Sequence, residues 1–254
     1  KNTVEKTESL ILKGNELLDI IRKTTYAASK DDLKPALTGV YIKVEEKKLT
    51  AVATDGHKLV KYEKNTKNNN KNDQGIIIPA KFLNILSQTV KEKDEIEINI
   101  DANHIQTKQK GFVFISRIIK ENFPDFNSVI PEDNKIQATL LSKDIIGCVK
   151  RVSIFSNRTT KQIILTFGEG GAVVSAEDFE TSTSGKEHLA CEFTGEDITT
   201  SYNAKYLQQT IQHINEKEVK VFLNTPLSAA VIVPKEQKEN EKLTTLLMPL
   251  RINT

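Results

Sequence analysis

The sequence predicts an α+β fold built from two copies of one unit, each with antiparallel sheets and two helices. Three observations carry this. The first is an internal repeat. Ala80-Lys81-Phe82-Leu83 opens an apolar-periodic segment that runs to Lys93 and into an alternating run at 96–100. Ala204-Lys205-Tyr206-Leu207 opens a second such segment, 124 residues later, that runs to Lys217 and an alternating run at 219–223. An upstream pair, 16–30 and 143–157, repeats likewise, with Leu17, Leu18 and Ile21 matched by Ile145, Ile146 and Val149 at an offset of 128. The second observation is a set of short stretches with period-2 alternation of apolar and polar residues. The third is their order: the strands follow one another in runs and do not alternate with helices, which excludes a βαβ sheet.

The elements follow in order. A helix is expected at 15–30, because Leu17, Leu18, Ile21, Thr24 and Ala28 share one face and Asp19, Arg22, Lys23, Tyr26 and Lys30 the other. Alternating strands are expected at 39–44 and 49–53. The Asn/Lys-rich run 65–73 reads as a hairpin tip. A helix at 80–91 precedes strands at 96–100, 105–108 and 113–119. The polar, turn-rich stretch 131–135 marks a boundary and gives domains of 1–133 and 134–254. The second copy opens with a helix at 143–157, on Ile145, Ile146, Val149 and Val152. Strands at 163–167, 172–176 and 189–194, a helix at 204–215, and strands at 219–223 and 229–233 complete it. The charged run 234–242 reads as a loop.

With 254 residues, 38% apolar and 28% charged, the chain is long enough for a real core and too hydrophobic to be a disordered tail. No apolar run approaches the length needed to span a bilayer, and no membrane role is expected. Cys148 and Cys191 cannot form a disulfide framework; both read as core thiols in a reduced cytoplasm. No zinc-type ligand spacing accompanies them, and no metal or cofactor is expected.

The net charge of +2 conceals a partition. The four expected helices hold nine basic and three acidic residues, about +6, against about −4 elsewhere. Arg22, Lys23, Lys30, Lys81, Lys91, Lys150, Arg151 and Lys205 are the candidate cations for a phosphate backbone. The exposed faces of the second and fourth helices carry no carboxylates. Such a surface attracts a polyanion without reading its sequence, and contacts of this kind support dissociation constants of only about 10⁻⁴–10⁻⁶ M.

For catalysis, Thr54-Asp55-Gly56-His57-Lys58-Leu59 is the one unusual string. Asp55 and His57 there could serve as a base and its orienter, or as two metal ligands; a strand end with a Gly turn is the simpler reading. Gly168-Glu169-Gly170-Gly171 lies between two strands and reads as a hairpin turn. Ser184-Gly185-Lys186 lacks the glycine spacing of a phosphate loop. No nucleophile elbow or zinc-protease motif is present.

Together, these strings resemble a known family. Ala53-Thr54-Asp55-Gly56-His57-Lys58-Leu59, Phe123-Pro124-Asp125-Phe126 with Val129-Ile130-Pro131, and Met248-Pro249-Leu250-Arg251 are similar to bacterial sliding clamps, the beta subunits of DNA polymerase III. Arg151-Val152-Ser153-Ile154-Phe155-Ser156-Asn157 and Tyr202-Asn203-Ala204-Lys205-Tyr206-Leu207 fit the same family. The resemblance spans essentially the whole chain and is to the second and third of the family's three domains. It implies a DNA-clamp fold with sheets outside and helices on the inner face. It also implies a chain that is a fragment, as its start at Lys1 suggests.

The resemblance implies a non-enzymatic processivity factor: two full-length chains close a ring around duplex DNA, whereas this fragment alone is expected to be monomeric. Partners are implied as well, namely the polymerase III alpha subunit, the clamp loader and repair proteins, held through linear peptides. Carried over by position, the peptide groove would be lined by Leu37, Thr54, Gly56, His57, Leu59, Pro124, Val129, Ala229, Leu246, Met248, Pro249, Leu250 and Arg251. Three departures bear on it. Lys58 stands where Arg is frequent, Leu250 where Met is commoner, and Ala229 where a small hydroxyl residue is frequent. The tail Ile252-Asn253-Thr254 runs beyond the usual family end and bears on the groove mouth.

Overall fold

The computed structural model describes residues 8–66 and 72–252. The chain divides into two compact units. The first comprises residues 1–125 and 238–242, the second 126–237 and 243–254. The expected boundary at 133/134 thus lies inside the second unit, whose first residue is Phe126.

The first unit runs β1 (Glu8–Lys13), α1 (Gly14–Thr24), β2 (Gly39–Val44), β3 (Lys48–Thr54), β4 (Lys58–Asn65), β5 (Asn72–Pro79), α2 (Ala80–Leu86), β6 (Glu95–Ile100), β7 (His104–Gln109) and β8 (Phe112–Arg117). Its strands are ordered β1-β6-β7-β8 and β4-β3-β2-β5, with antiparallel neighbours.

The second unit runs β9 (Ile136–Leu141), α3 (Ser142–Val152), β10 (Gln162–Gly168), β11 (Gly171–Asp178), β12 (Thr183–Leu189), β13 (Glu192–Thr194), β14 (Ile198–Asn203), α4 (Ala204–Ile214), β15 (Glu218–Leu223), β16 (Ala230–Pro234) and β17 (Glu241–Leu247), the last opening on two residues grouped with the first unit. Its strand orders are β9-β15-β16-β17 and β12-β11-β10-β14, with β13 added on the free edge of β9. Element for element, this repeats the first unit. The periodicity that predicts two copies therefore reflects one topology used twice.

Local chemistry sets the helices. α1 opens with the Lys13 N–H donating to Glu16 Oε2 at 3.0 Å, a carboxylate three residues in that satisfies an otherwise unpaired donor. α4 is capped by Asn203, whose side-chain oxygen accepts from the backbone of Lys205 and Tyr206, and it closes on Asn215 in the left-handed region at φ 54°. Each unit buries one apolar helix face against strands. In the first, Leu17, Ile20 and Ile21 of α1 and Phe82, Leu83 and Leu86 of α2 are buried with Leu10, Leu12, Ile96 and Ile98. In the second, Ile145, Cys148, Val149 and Val152 of α3 and Leu207, Ile211 and Ile214 of α4 are buried with Leu140, Leu165, Phe167 and Val174.

Several expected elements differ from the observed ones. Three helices are shorter than their apolar periodicity suggests. α1 tightens into a 3₁₀ turn at Thr25–Ala27, α2 ends at Leu86, and α3 gives way to a 3₁₀ turn at Ser153–Phe155. Beyond α1 and α2, Ala28 and Val90 are buried from turns, whose spacing mimics another helical turn. Lys30 and Lys91 consequently lie off the helices. The strand expected at 189–194 is broken, so that Cys191 lies between β12 and β13, half-buried. The run 234–242 is a loop only until Glu241, where β17 begins. Of the tip expected at 65–73, residues 67–71 lie outside the described residues, as do Asn253 and Thr254 of the tail.

Candidate functional site

In the first unit, the 54–59 string forms the β3–β4 turn, with Thr54 paired to Leu59. The Thr54 hydroxyl donates to the Lys58 carbonyl at 2.7 Å and accepts from the Gly56 N–H at 3.1 Å. Gly56 takes φ +89°, a conformation that side-chain-bearing residues rarely adopt. Asp55 Oδ1 accepts from the backbone N–H of both His57 and Lys58 at 2.9 Å. Its Oδ2 pairs with the Lys58 ammonium, which is buried. Both carboxylate oxygens are therefore committed to the turn and to Lys58. This corrects the acid–base reading of Asp55 and His57: a carboxylate held this way orients Lys58 and the turn backbone, and no support remains for an enzyme centred there. The turn presents the exposed His57 side chain at its tip, while Thr54 and Leu59 are buried behind it. Leu37 is half-buried, its carbonyl accepting from the Ser29 N–H at 2.8 Å, and Pro124 is exposed.

In the second unit, the expected groove residues cluster at one end of β16 and β17. Ala230 pairs with Leu247 and Val231 with Leu246, so Ala229 and Met248 each lie one residue beyond the Ala230–Leu247 pair. Ala229 and Leu246 are buried, and Met248 is 45% exposed. The segment after Met248 is stapled to β14 and β10. The Leu250 N–H donates to the Ser201 carbonyl and the Ser201 hydroxyl to the Leu250 carbonyl, both at 2.8 Å. Gln162 Nε2 donates to the Ser201 hydroxyl and to the Arg251 carbonyl, both at 2.9 Å. Pro249 and Leu250 are half-buried and Arg251 is exposed. Val129 is 52% exposed on a separate segment.

The residues that build this end of the second unit are ones sequence reasoning passed over. Gln162 and Ser201 hold the terminal segment. Thr200, fully buried, donates to the Pro226 carbonyl at 3.1 Å and pins the turn that presents Leu227, itself 64% exposed. Tyr202 is 2% exposed, and burial pushes its phenol up to about 12. The available signal was the run Ile198-Thr199-Thr200-Ser201-Tyr202, a strand whose hydroxyls have to find partners inside the fold.

The observed helices hold seven basic and three acidic residues, so the expected +6 becomes about +4. α1 is neutral, and its cations are paired. Arg22 meets Asp19 at 2.6 Å; Lys23 meets Glu241 at 2.6 Å and lies 4.1 Å from the Tyr62 ring centroid. This corrects the placing of Lys23 on an open face, since its side chain is only 16% exposed. Arg151 makes a two-pronged pair with Glu187 at 3.0 and 2.5 Å. Lys81, Lys150 and Lys205 project from α2, α3 and α4 as exposed cations, and Lys30 and Lys91 are exposed on turns. Among the described residues no group of His, Cys, Asp and Glu could hold a metal ion, and no helix is long and apolar enough to cross a membrane.

Comparison with known proteins decides the family. The profile of the DNA polymerase III beta subunit central domain matches residues 11–125, and that of its C-terminal domain matches residues 127–251. The chain belongs to the DNA polymerase III beta subunit family. The beta sliding clamp of Staphylococcus epidermidis is 27% identical over 252 residues, covering 98% of this chain and 65% of that protein. The Bacillus subtilis clamp is 25% identical over 256 residues, covering 98% and 66%. Among solved structures, the DNA polymerase III beta chain of Streptococcus pneumoniae superposes with a TM-score of 0.88 at 25% identity, over 99% of this chain and 67% of that one. The Bacillus subtilis sliding clamp gives 0.90 at 23%, over 100% and 67%. The fold is the α+β fold of sliding clamps. The chain spans about 65% of the length of the curated relatives it matches.

Proposed function

We propose that the chain supplies two domains of a sliding clamp, a non-enzymatic processivity factor that encircles duplex DNA in the cytoplasm and tethers replication and repair proteins. The observation that carries this is the second-unit end of β17. There Met248 is exposed beside buried Ala229 and Leu246, with the following segment held rigidly by Ser201 and Gln162. A preformed apolar patch with a fixed backbone beside it suits a short peptide with an apolar anchor. The groove is proposed on the second unit, lined by Val129, Ala229, Leu246, Met248, Pro249, Leu250 and Arg251. Its peptides would be the linear motifs of the polymerase III alpha subunit, the clamp loader and repair proteins.

DNA contact is proposed for the exposed Lys81, Lys150 and Lys205, and for Arg22, Arg151, Lys30 and Lys91. Contacts this few hold DNA weakly, so retention is proposed to come from closure of a ring of chains. The 254-residue chain measured alone is expected to run as a monomer by native mass spectrometry. The DNA reading is tested by titrating a duplex at increasing salt. Weak binding whose log K falls linearly with log salt is expected, and salt-independent binding contradicts it.

A further inference from the structure

Glu241, the first residue of β17, receives two ammonium groups: Lys23 from α1 at 2.6 Å and Lys64 from β4 at 3.3 Å. Lys64 also reaches Asp19 at 3.5 Å, and Asp19 takes Arg22 at 2.6 Å. The side chains of Lys23, Lys64 and Glu241 are 16%, 16% and 14% exposed. Lys23 also lies over the ring of the fully buried Tyr62. Beside the cluster, the Asn65 N–H donates to the Asn240 carbonyl at 2.8 Å. All of these residues belong to the first unit, Glu241 included.

Two adjacent basic residues on α1 are thus placed for different work. Arg22 has a 64% exposed side chain and pairs with a residue of its own helix, an arrangement that contributes little at a surface. Lys23 is withdrawn from solvent onto a carboxylate and an aromatic face. Removing one member of such a cluster leaves the remaining charges under-compensated in a poorly solvated site, which is costly. An ammonium held there is not available to a phosphate outside.

We infer that Lys23 and Lys64 are positioning residues: they latch Glu241 to the first unit and so fix the start of β17, the strand that runs on to the groove residues Leu246 and Met248. The effect on peptide binding rests on the proposed groove. The anchoring of Glu241 does not.

The test is hydrogen exchange by mass spectrometry on the 254-residue chain and its Lys23→Met, Lys23→Arg and Glu241→Gln variants, with peptide and DNA titrations of each. In Lys23→Met and Glu241→Gln, exchange in 238–247 is expected to rise about tenfold or more while β10 and β11 keep their protection. Lys23→Arg should retain most of the protection, because a cation still faces Glu241. Affinity for a Leu/Phe-containing clamp-binding peptide should fall in the same order. The slope of log K against log salt for DNA should match wild type in Lys23→Met. Unchanged exchange in both Lys23→Met and Glu241→Gln overturns the latch, whatever the peptide does. Raised exchange with unchanged peptide affinity overturns the positioning role. A slope shallower by about one unit makes Lys23 a phosphate contact and overturns the assignment. If wild type binds no peptide, the groove reading fails and the exchange result alone decides the latch.

Discussion

Ser201 and Leu250 are joined by two hydrogen bonds, one in each direction: the Leu250 N–H to the Ser201 carbonyl and the Ser201 hydroxyl to the Leu250 carbonyl, both at 2.8 Å. A reciprocal pair fixes the terminal segment against β14 in both position and rotation. Ser201→Ala removes the side-chain half. A net loss of about 1 kcal/mol in stability is expected, the usual worth of such a bond. Peptide affinity should weaken as well, since Leu250 would be held by the backbone half alone. Urea unfolding and a peptide titration read the two effects separately, and an unchanged affinity would detach Ser201 from the groove.

Leu59 and Met248 are both groove residues expected from the sequence, and their burial predicts opposite behaviour. Leu59 is 6% exposed, so Leu59→Ala should act as a core truncation costing about 2–5 kcal/mol of stability. Met248 is 45% exposed, so Met248→Ala should leave the unfolding midpoint nearly unchanged. A shared place in the expected groove is therefore not expected to give the two residues the same effect on stability. Equal destabilisation by the two changes would contradict it.

Burial by itself would raise the carboxyls of Glu63 and Glu241. Hydrogen bonds and charge from Lys48 and Lys61 on the one, and from Lys23 and Lys64 on the other, outweigh burial and hold both below the ordinary value. A lowered folded pKa means stability that is complete above the unfolded pKa, about 4.3, and is lost as pH falls through the folded value. Unfolding midpoints measured downward from pH 6 should therefore drop steeply below about pH 4.3. Glu241→Gln should lower the neutral plateau and flatten that acid limb. A limb unchanged in Glu241→Gln would show that this carboxyl is not held low.

Gly14 opens α1 with its N–H on the Asp94 carbonyl at 2.7 Å, so close that an added Cβ would stand 1.9 Å from the Lys91 carbonyl oxygen. Gly14→Ala should destabilise by about 1–3 kcal/mol through backbone displacement, despite alanine's better helix propensity. A gain in stability on urea unfolding would contradict the contact.

What the sequence made legible depended on which faces each element buries. β10 and β11 bury alternate residues, and their alternation is plain in Ile163, Leu165 and Phe167 and in Ala172, Val174 and Ala176. β4 and β17 bury nearly continuous runs, so they show no period of two and went unread. Helix lengths were overread because Ala28 and Val90 continue the apolar spacing from turns. In the candidate site, the Asp55–His57 string was visible, but not that Asp55 would be consumed by its own turn and Lys58. Gln162 left no local signal and Ser201 only the hydroxyl-rich run of β14, because both act where β10, β14 and the terminal segment meet. The pairing of Lys23 with Glu241 joins residues 218 apart in sequence, beyond any local pattern.

The second-unit patch around Met248 is proposed as the peptide-binding site. The direct measurement is fluorescence anisotropy of a labelled Leu/Phe-containing clamp-binding peptide titrated with wild type and with Met248→Ala. Saturable binding in the micromolar range is expected, weakened by about 1–2 kcal/mol in Met248→Ala with unfolding unchanged. Absence of saturable binding by folded wild type, or equal affinity in the two proteins, would contradict it.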